Sequence, residues 1–223
     1  QVLLTFFWER TAGSLPADLQ LQLLDENDQV AHAWQVPLIE DGFDASAWET
    51  GQRLRAQHLL RLPASLESGS YRLQLQEQVP LSELAVATPD RTFTSPESDT
   101  GTKIPFGEEA QLAGYTIARD GDQLTVELVW QALSEITTPY NVFVHLVDEQ
   151  GTIIAQADGE PANWTRPTTG WASGEYIVDR HTLTLPPDGE PAELYLRVGL
   201  YNPADGQRLP TASGDTAELP FGQ

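Results

Sequence analysis

The stretch "SAWETGQRLRAQHLLRLP" occupies Ser46–Pro63, and "TGWASGEYIVDRHTLTLP" occupies Thr169–Pro186. Laid over each other without a gap, they pair Trp48 with Trp171, Gly51 with Gly174 and His58 with His181. Leu60, Leu62 and Pro63 then meet Leu183, Leu185 and Pro186. The register holds from Leu23–Gln78 against Leu146–Tyr201, where 11 of 56 positions are identical. Unrelated segments of average composition would agree at roughly one position in sixteen. Upstream, "LLTFFWER" (3–10) answers "TVELVWQA" (125–132) with a shift of one residue, pairing Trp8 with Trp130. Downstream, "SELAVA" (82–87) answers "AELPFG" (217–222). One unit is written twice, and the second copy adds a loop at "NPADGQRLPTASGD" (202–215).

The hydrophobic period of each copy is two. "DLQLQLLDE" (18–26) sets Leu19, Leu21 and Leu23 on one face and Gln20 and Gln22 on the other. "YRLQLQE" (71–77) repeats the pattern with Leu73 and Leu75. Turn residues such as "DEND" and "DEQG" separate the runs, and 17 glycines and 16 prolines punctuate the rest. Short strands at this spacing, with no long helical period, predict an all-β fold of two tandem β-sandwich domains, immunoglobulin- or jelly-roll-like. Expected boundaries are 1–95 for the first repeat and 104–223 for the second. The connection is expected near Thr88–Lys103, "TPDRTFTSPESDTGTK", which is rich in Pro, Ser and Thr, with the linker itself at 96–103. The second copy begins with a lead-in, "IPFGEEAQLAGYTIARDGDQ" (104–123), that the first lacks. The chain is therefore expected to be a fragment or processed product, with a first strand upstream of Gln1 and a sheet edge open to self-assembly.

Charge narrows the partners. Acids number 33 against 12 bases, for a net charge of −21. Such a surface repels phosphate, so nucleic acid and anionic lipid are poor partners. No stretch reaches the ~20 apolar residues of a membrane span, so direct insertion is not expected. Cysteine is absent, which removes disulfides, thiol nucleophiles and thiolate metal sites. Neither a nucleophile elbow, a zinc-protease motif, a phosphate loop nor a dinucleotide fingerprint is present. No cofactor is expected. Structural calcium at the Asp-rich turns of Asp25/Asp28 or Asp148 remains open, since acidic turns of this kind are common.

Four histidines are scattered along the chain. Alternation places His58 on the face of Leu54, Ala56, Leu60 and Leu62, and His181 on that of Ile177, Asp179, Leu183 and Leu185. Both imidazoles should point inward and serve the structure, because the only nearby carboxylate, Asp179, is replaced by Ala56 in the first copy. Trp48 and Trp171 precede these strands and suit a plug over the core. His145 and Phe143 fall on the face opposite Val142, Val144 and Leu146, and should pack under a loop, against the other sandwich or against a ligand.

The loop "DGEPANWTRPTTGWASGEY" (158–176) is the richest in chemistry. It holds flat aromatics beside carboxylate, amide and guanidinium groups, which suits a sugar. One face of a pyranose stacks on a ring while its hydroxyls take directional hydrogen bonds. The candidate ligand-binding residues are Trp164, Arg166, Trp171, Tyr176 and Asp158. No catalytic or metal-ligating residue is assigned.

The second copy also carries a familiar grain in "LAGYTIARDGDQLTVELVWQAL", "YNVFVHLVDEQGTIIAQADGEP", "PTTGWASGEYIVDRHTLTLP" and "LYLRVGLYNPADGQRLP". These segments resemble the C-terminal extracytoplasmic β-sandwich region of bacterial polytopic membrane proteins similar to lipid-carrier-dependent glycosyltransferases. The resemblance covers 104–223 well and 1–95 faintly. It implies an extracytoplasmic location, at the cell surface or secreted, and association with surface-glycan proteins, but no transferase activity in this chain. The resulting expectation is a non-catalytic accessory module that binds carbohydrate through 158–176, with a glycan or a cell-surface protein as partner. The rivals are a structural or interaction module of a surface layer, filament or ectodomain, and a glycoside hydrolase built on an acidic pair.

Overall fold

The computed structural model describes residues 1–223 except 40–42, 45–46, 76–78, 186–193 and 221–223. Pro186 and part of the 38–53 loop, both used in the repeat comparison, lie outside the described residues. The chain is all-β and divides into two compact units, Gln1–Pro89 and Asp90–Gln223.

In the first unit, β2 (Asp18–Leu24), β3 (Val30–Pro37), β5 (Gly69–Leu75) and β6 (Val79–Val86) form one antiparallel sheet in the order β3-β2-β5-β6. β1 (Val2–Glu9) and β4 (Arg53–Leu60) form a two-stranded ribbon. Leu21, Leu23 and Leu73 from the sheet pack with Leu60 from the ribbon, and Leu19 and Leu38 pack with Trp48. The alternation seen in the sequence is what buries one face of each strand.

The second unit repeats this plan and extends it. β10 (Asn141–Asp148), β11 (Ile153–Gly159), β13 (Leu194–Tyr201) and β14 (Ala217–Leu219) form a sheet in the order β11-β10-β13-β14. β7 (Thr100–Phe106), β8 (Ala110–Asp120), β9 (Gln123–Ala132) and β12 (Tyr176–Thr184) form the other, in the order β12-β9-β8-β7. The chain crosses between the two sheets from β9 to β10, from β11 to β12 and from β12 to β13, as in immunoglobulin-like sandwiches.

The duplication holds at the level of single hydrogen-bonded pairs. Leu23 faces Leu73 in the first unit, and Leu146 faces Leu196 in the second. Trp8 lies opposite Leu54, and Trp130 opposite Ile177. A bulge falls between Leu23 and Leu24, and again between Leu146 and Val147. Asp25 Oδ1 accepts from the backbone N–H groups of Asn27 and Gln29 at 2.8 and 2.9 Å; Asp148 Oδ1 accepts from those of Gln150 and Thr152 at 3.0 and 2.7 Å. The Asp-rich turns singled out for calcium thus use these carboxylates to close the turn. Asp28 pairs with Arg72, and no cluster of three metal-ligating side chains occurs among the described residues.

The division between the units falls between Pro89 and Asp90, inside the connection expected near Thr88–Lys103, and Thr100–Lys103 belongs to β7. Arg91 pairs with Glu175, Thr92 bridges to Tyr176, and the Asp99 N–H donates to Thr116 Oγ1 at 3.0 Å. Composition alone signals a lack of period. It does not show that a polar segment can be tied down by one buried ion pair and a few backbone hydrogen bonds. Among the described residues, no helix is long and apolar enough to cross a membrane.

Candidate functional site

Histidines 58 and 181 sit where the alternation puts them, buried beside Leu60 and Leu183. His181 Nε2 hydrogen bonds to Asp179 Oδ2 at 2.8 Å, and the other oxygen of Asp179 accepts the Ala162 N–H at 2.8 Å. Asp179 therefore links β12 to the turn ahead of it. It is fully buried, so both lone-pair directions need donors.

That turn, Pro161–Trp164, is unusual. Ala162 (φ 52, ψ 46) and Asn163 (φ 53, ψ 53) are left-handed, and Trp164 also has a positive φ of 67. A left-handed residue with a Cβ costs ~1–2 kcal/mol. Three in succession persist only where the surroundings fix them. Pro161 is buried at the start, Asp179 holds the Ala162 N–H, and Thr165 Oγ1 donates to the Ala162 carbonyl at 2.7 Å.

This wound turn presents Trp164. Its indole lies against Gly159, where a Cβ would stand 3.5 Å from Nε1. Its other side faces solvent, and the residue is 65% exposed. Beside it opens a cavity of about 200 Å³ between the end of β11 and β12, lined by Asp158, Glu160, Asn163, Trp164, Arg180 and His181 among others. It lies along the open side of the sandwich, where the edge strands of the two sheets face each other. Asp158 is steadied by His145, whose Nε2 lies 3.1 Å from Oδ1. Arg180 is held by Glu127 through Nε and Nη2.

The five residues proposed from sequence separate into two places. Trp164 and Asp158 line the cavity. Trp171 is fully buried in the main core, its Nε1 donating to the Arg166 carbonyl at 2.9 Å, so it plugs the core and offers no face to a ligand. Arg166 pairs with the fully buried Glu175, which also receives Arg91 and, at 2.9 Å, the Ala172 N–H. Tyr176 is half-buried at the start of β12, paired with Gln131. Of the five candidates, Trp164 offers an exposed ring with a polar cavity beside it. The plug was legible because Trp48 does the same in the first unit, buried with its Nε1 donating to Gln52 O at 3.1 Å.

Phe143 and His145 pack against protein. Phe143 is buried opposite Gly199, with the Arg208 guanidinium 4.3 Å from its ring centroid. Arg208 lies in the loop that the second copy adds, so that loop covers an aromatic the first copy lacks. Glu160 and Arg180 were not marked in advance, and Asp179 was marked only as the inward neighbour of His181. The signal for Asp179 was its exchange for Ala56, which removes an inward carboxylate from one repeat only.

The Asp179→Ala variant should uncouple the turn. It strands the Ala162 N–H and removes the partner of His181. The expected cost is about 1–3 kcal/mol of second-domain stability, measurable by urea unfolding.

No family model matches the chain, and no curated protein matches it. Among solved structures it is similar to a DUF3823 family protein from Bacteroides ovatus, with 14% identity over 89% of this chain and 83% of that one, at a TM-score of 0.30. It is also similar to β-glucuronidase from Ruminococcus gnavus in complex with uronic isofagomine, with 12% identity over 97% of this chain and 34% of that one, at a TM-score of 0.26. The chain spans about a third of the length of the glucuronidase. At these identities and scores, neither neighbour assigns a ligand or an activity to this chain.

Proposed function

We propose that this tandem β-sandwich is a non-catalytic, extracytoplasmic accessory module that binds glycan through its second domain, with Trp164 as the stacking surface. The observation that carries this is the pairing of an exposed indole, held in strained backbone, with a polar cavity at its edge. Strain of this kind is retained where a side chain must be aimed. An indole offers a large flat apolar face, while Asp158 and Glu160 accept and Arg180 donates hydrogen bonds. A cavity of about 200 Å³ takes one small polar unit, below the ~300–1,000 Å³ usual for larger ligands.

The charge pattern selects among sugars. Carboxylates at Asp158, Glu160 and Asp179 border the cavity in a chain of net charge −21. Neutral or amine-bearing units fit this field better than uronic acids or phosphorylated sugars. The acidic, cysteine-free composition accords with a surface location in a larger glycan-handling protein.

An array of bacterial surface glycans, probed with wild type and Trp164→Ala, tests this. The expected result is retention of a neutral or amino-sugar glycan, weakened at least ~10-fold in the variant while the melting midpoint stays put. Retention of no glycan, or equal retention by both proteins, would overturn it.

A further inference from the structure

The four-stranded sheet of the first domain breaks its alternation at one place. Leu73 on β5 faces the core, so Gln74 is turned to the outer face, yet Gln74 is only 8% exposed. Bulges fall beside it, between Leu73 and Gln74 against β6 and between Leu23 and Leu24 against β3. Bulges re-aim side chains and are frequent next to binding sites. A cavity of about 550 Å³ opens there. Its polar lining includes Gln22, Gln74 and Arg72, and its apolar lining is Leu24, Val30 and Pro80. The two amides face each other across β2 and β5, and Gln74 Nε2 donates to Gln22 Oε1 at 2.9 Å. That bond leaves Gln74 Oε1 as an acceptor and Gln22 Nε2 as a donor, neither with a protein partner among the described residues. A nearly buried amide oxygen in that position calls for a donor.

The internal repeat sets this arrangement apart. The second copy places His145 opposite Arg197 at the matching positions, but there Asp158 takes His145 and Glu218 takes Arg197. The turn between β2 and β3 differs as well. Gly151 is left-handed in the second copy, with φ 79, while its counterpart Asp28 keeps φ 60 in spite of its Cβ. Asp28 also lines the cavity and pairs with Arg72, so the charged groups of the lining cancel. We infer that this cavity is a second ligand site, for a neutral polyhydroxylated ring such as a hexose unit. Two adjacent hydroxyls answer the amide pair, one donating to Gln74 Oε1 and the other accepting from Gln22 Nε2. Leu24, Val30 and Pro80 take the C–H face of the ring. The volume falls within the ~300–1,000 Å³ of small-molecule sites. No aromatic ring lines the cavity, so binding is weak, with a Kd on the order of 1 mM, and is read in solution and not by retention on an array. The site is carried by residues other than those of the Trp164 turn and does not rest on that reading.

The test follows the side-chain amide resonances of the full chain by NMR during titration with methyl glucoside, methyl galactoside and methyl mannoside to ~10 mM, about ten times that Kd. The Gln22 and Gln74 signals should shift and saturate with at least one of the three. Gln20, exposed on the same face of β2 but outside the cavity, should stay still. Gln22→Ala should weaken binding at least ~10-fold, read from Gln74, while Trp164→Ala should leave the Kd unchanged. No shift at Gln74 with any of the three sugars, or an equal shift at Gln20, would overturn the inference. So would an unchanged Kd in Gln22→Ala, or loss of the Gln74 shift in Trp164→Ala.

Discussion

Glu175→Ala should unfold the second domain at markedly lower urea, with a loss of about 3–5 kcal/mol. The carboxylate is fully buried and receives Arg91, Arg166 and the Ala172 N–H. Its removal takes away the buried carboxylate shared by two guanidinium groups, each less than a fifth exposed. The first repeat shows which part of this arrangement is basic to the fold. Gln52 occupies the matching position, and its Oε1 accepts the Glu49 N–H at 3.0 Å, as Glu175 accepts that of Ala172. Glu175→Gln should therefore keep the turn but lose the ion pairs, and fall between wild type and Glu175→Ala. Equal stability of all three proteins in urea titrations would show that Arg91 and Arg166 are not held by this group.

Two tryptophans seven residues apart should respond in opposite ways. Trp171→Ala empties a fully buried site and removes the Nε1 hydrogen bond to Arg166, so a loss of about 3–5 kcal/mol is expected. Trp164→Ala deletes a mostly exposed ring and should change stability by less than about 0.5 kcal/mol. The glycan affinity should follow the reverse pattern, lost with Trp164 and retained in whatever fraction of Trp171→Ala remains folded. Urea midpoints for both variants, read beside binding, separate the plug from the platform.

The fold was largely legible because it is written twice. A period of two fixes which face of each strand is buried, and the gapless match of Trp48, Gly51 and His58 to Trp171, Gly174 and His181 fixes the register between copies. The boundary was less legible. Arg91 looks like any linker arginine until folding brings it to Glu175, 84 residues away.

The site was legible only in part, for a similar reason. Loop composition singled out Trp164 and Asp158, which line the cavity, but could not separate an exposed indole from a buried one. Trp171 is settled by its repeat partner Trp48, while Trp164 has no counterpart in a gapless overlay, where it meets Asp41. The left-handed path of Ala162, Asn163 and Trp164 leaves no sequence signature, since none of the three is glycine. What sets it is Asp179, a residue from the following strand.

The most direct measurement follows the six indole N–H resonances by NMR while a neutral or amino-sugar glycan from the array is titrated. Trp164 should shift progressively and saturate, with the buried Trp130 and Trp171 unmoved. A still Trp164 signal at saturating glycan, or shifts confined to the tryptophans of the first domain, would contradict glycan binding through this turn.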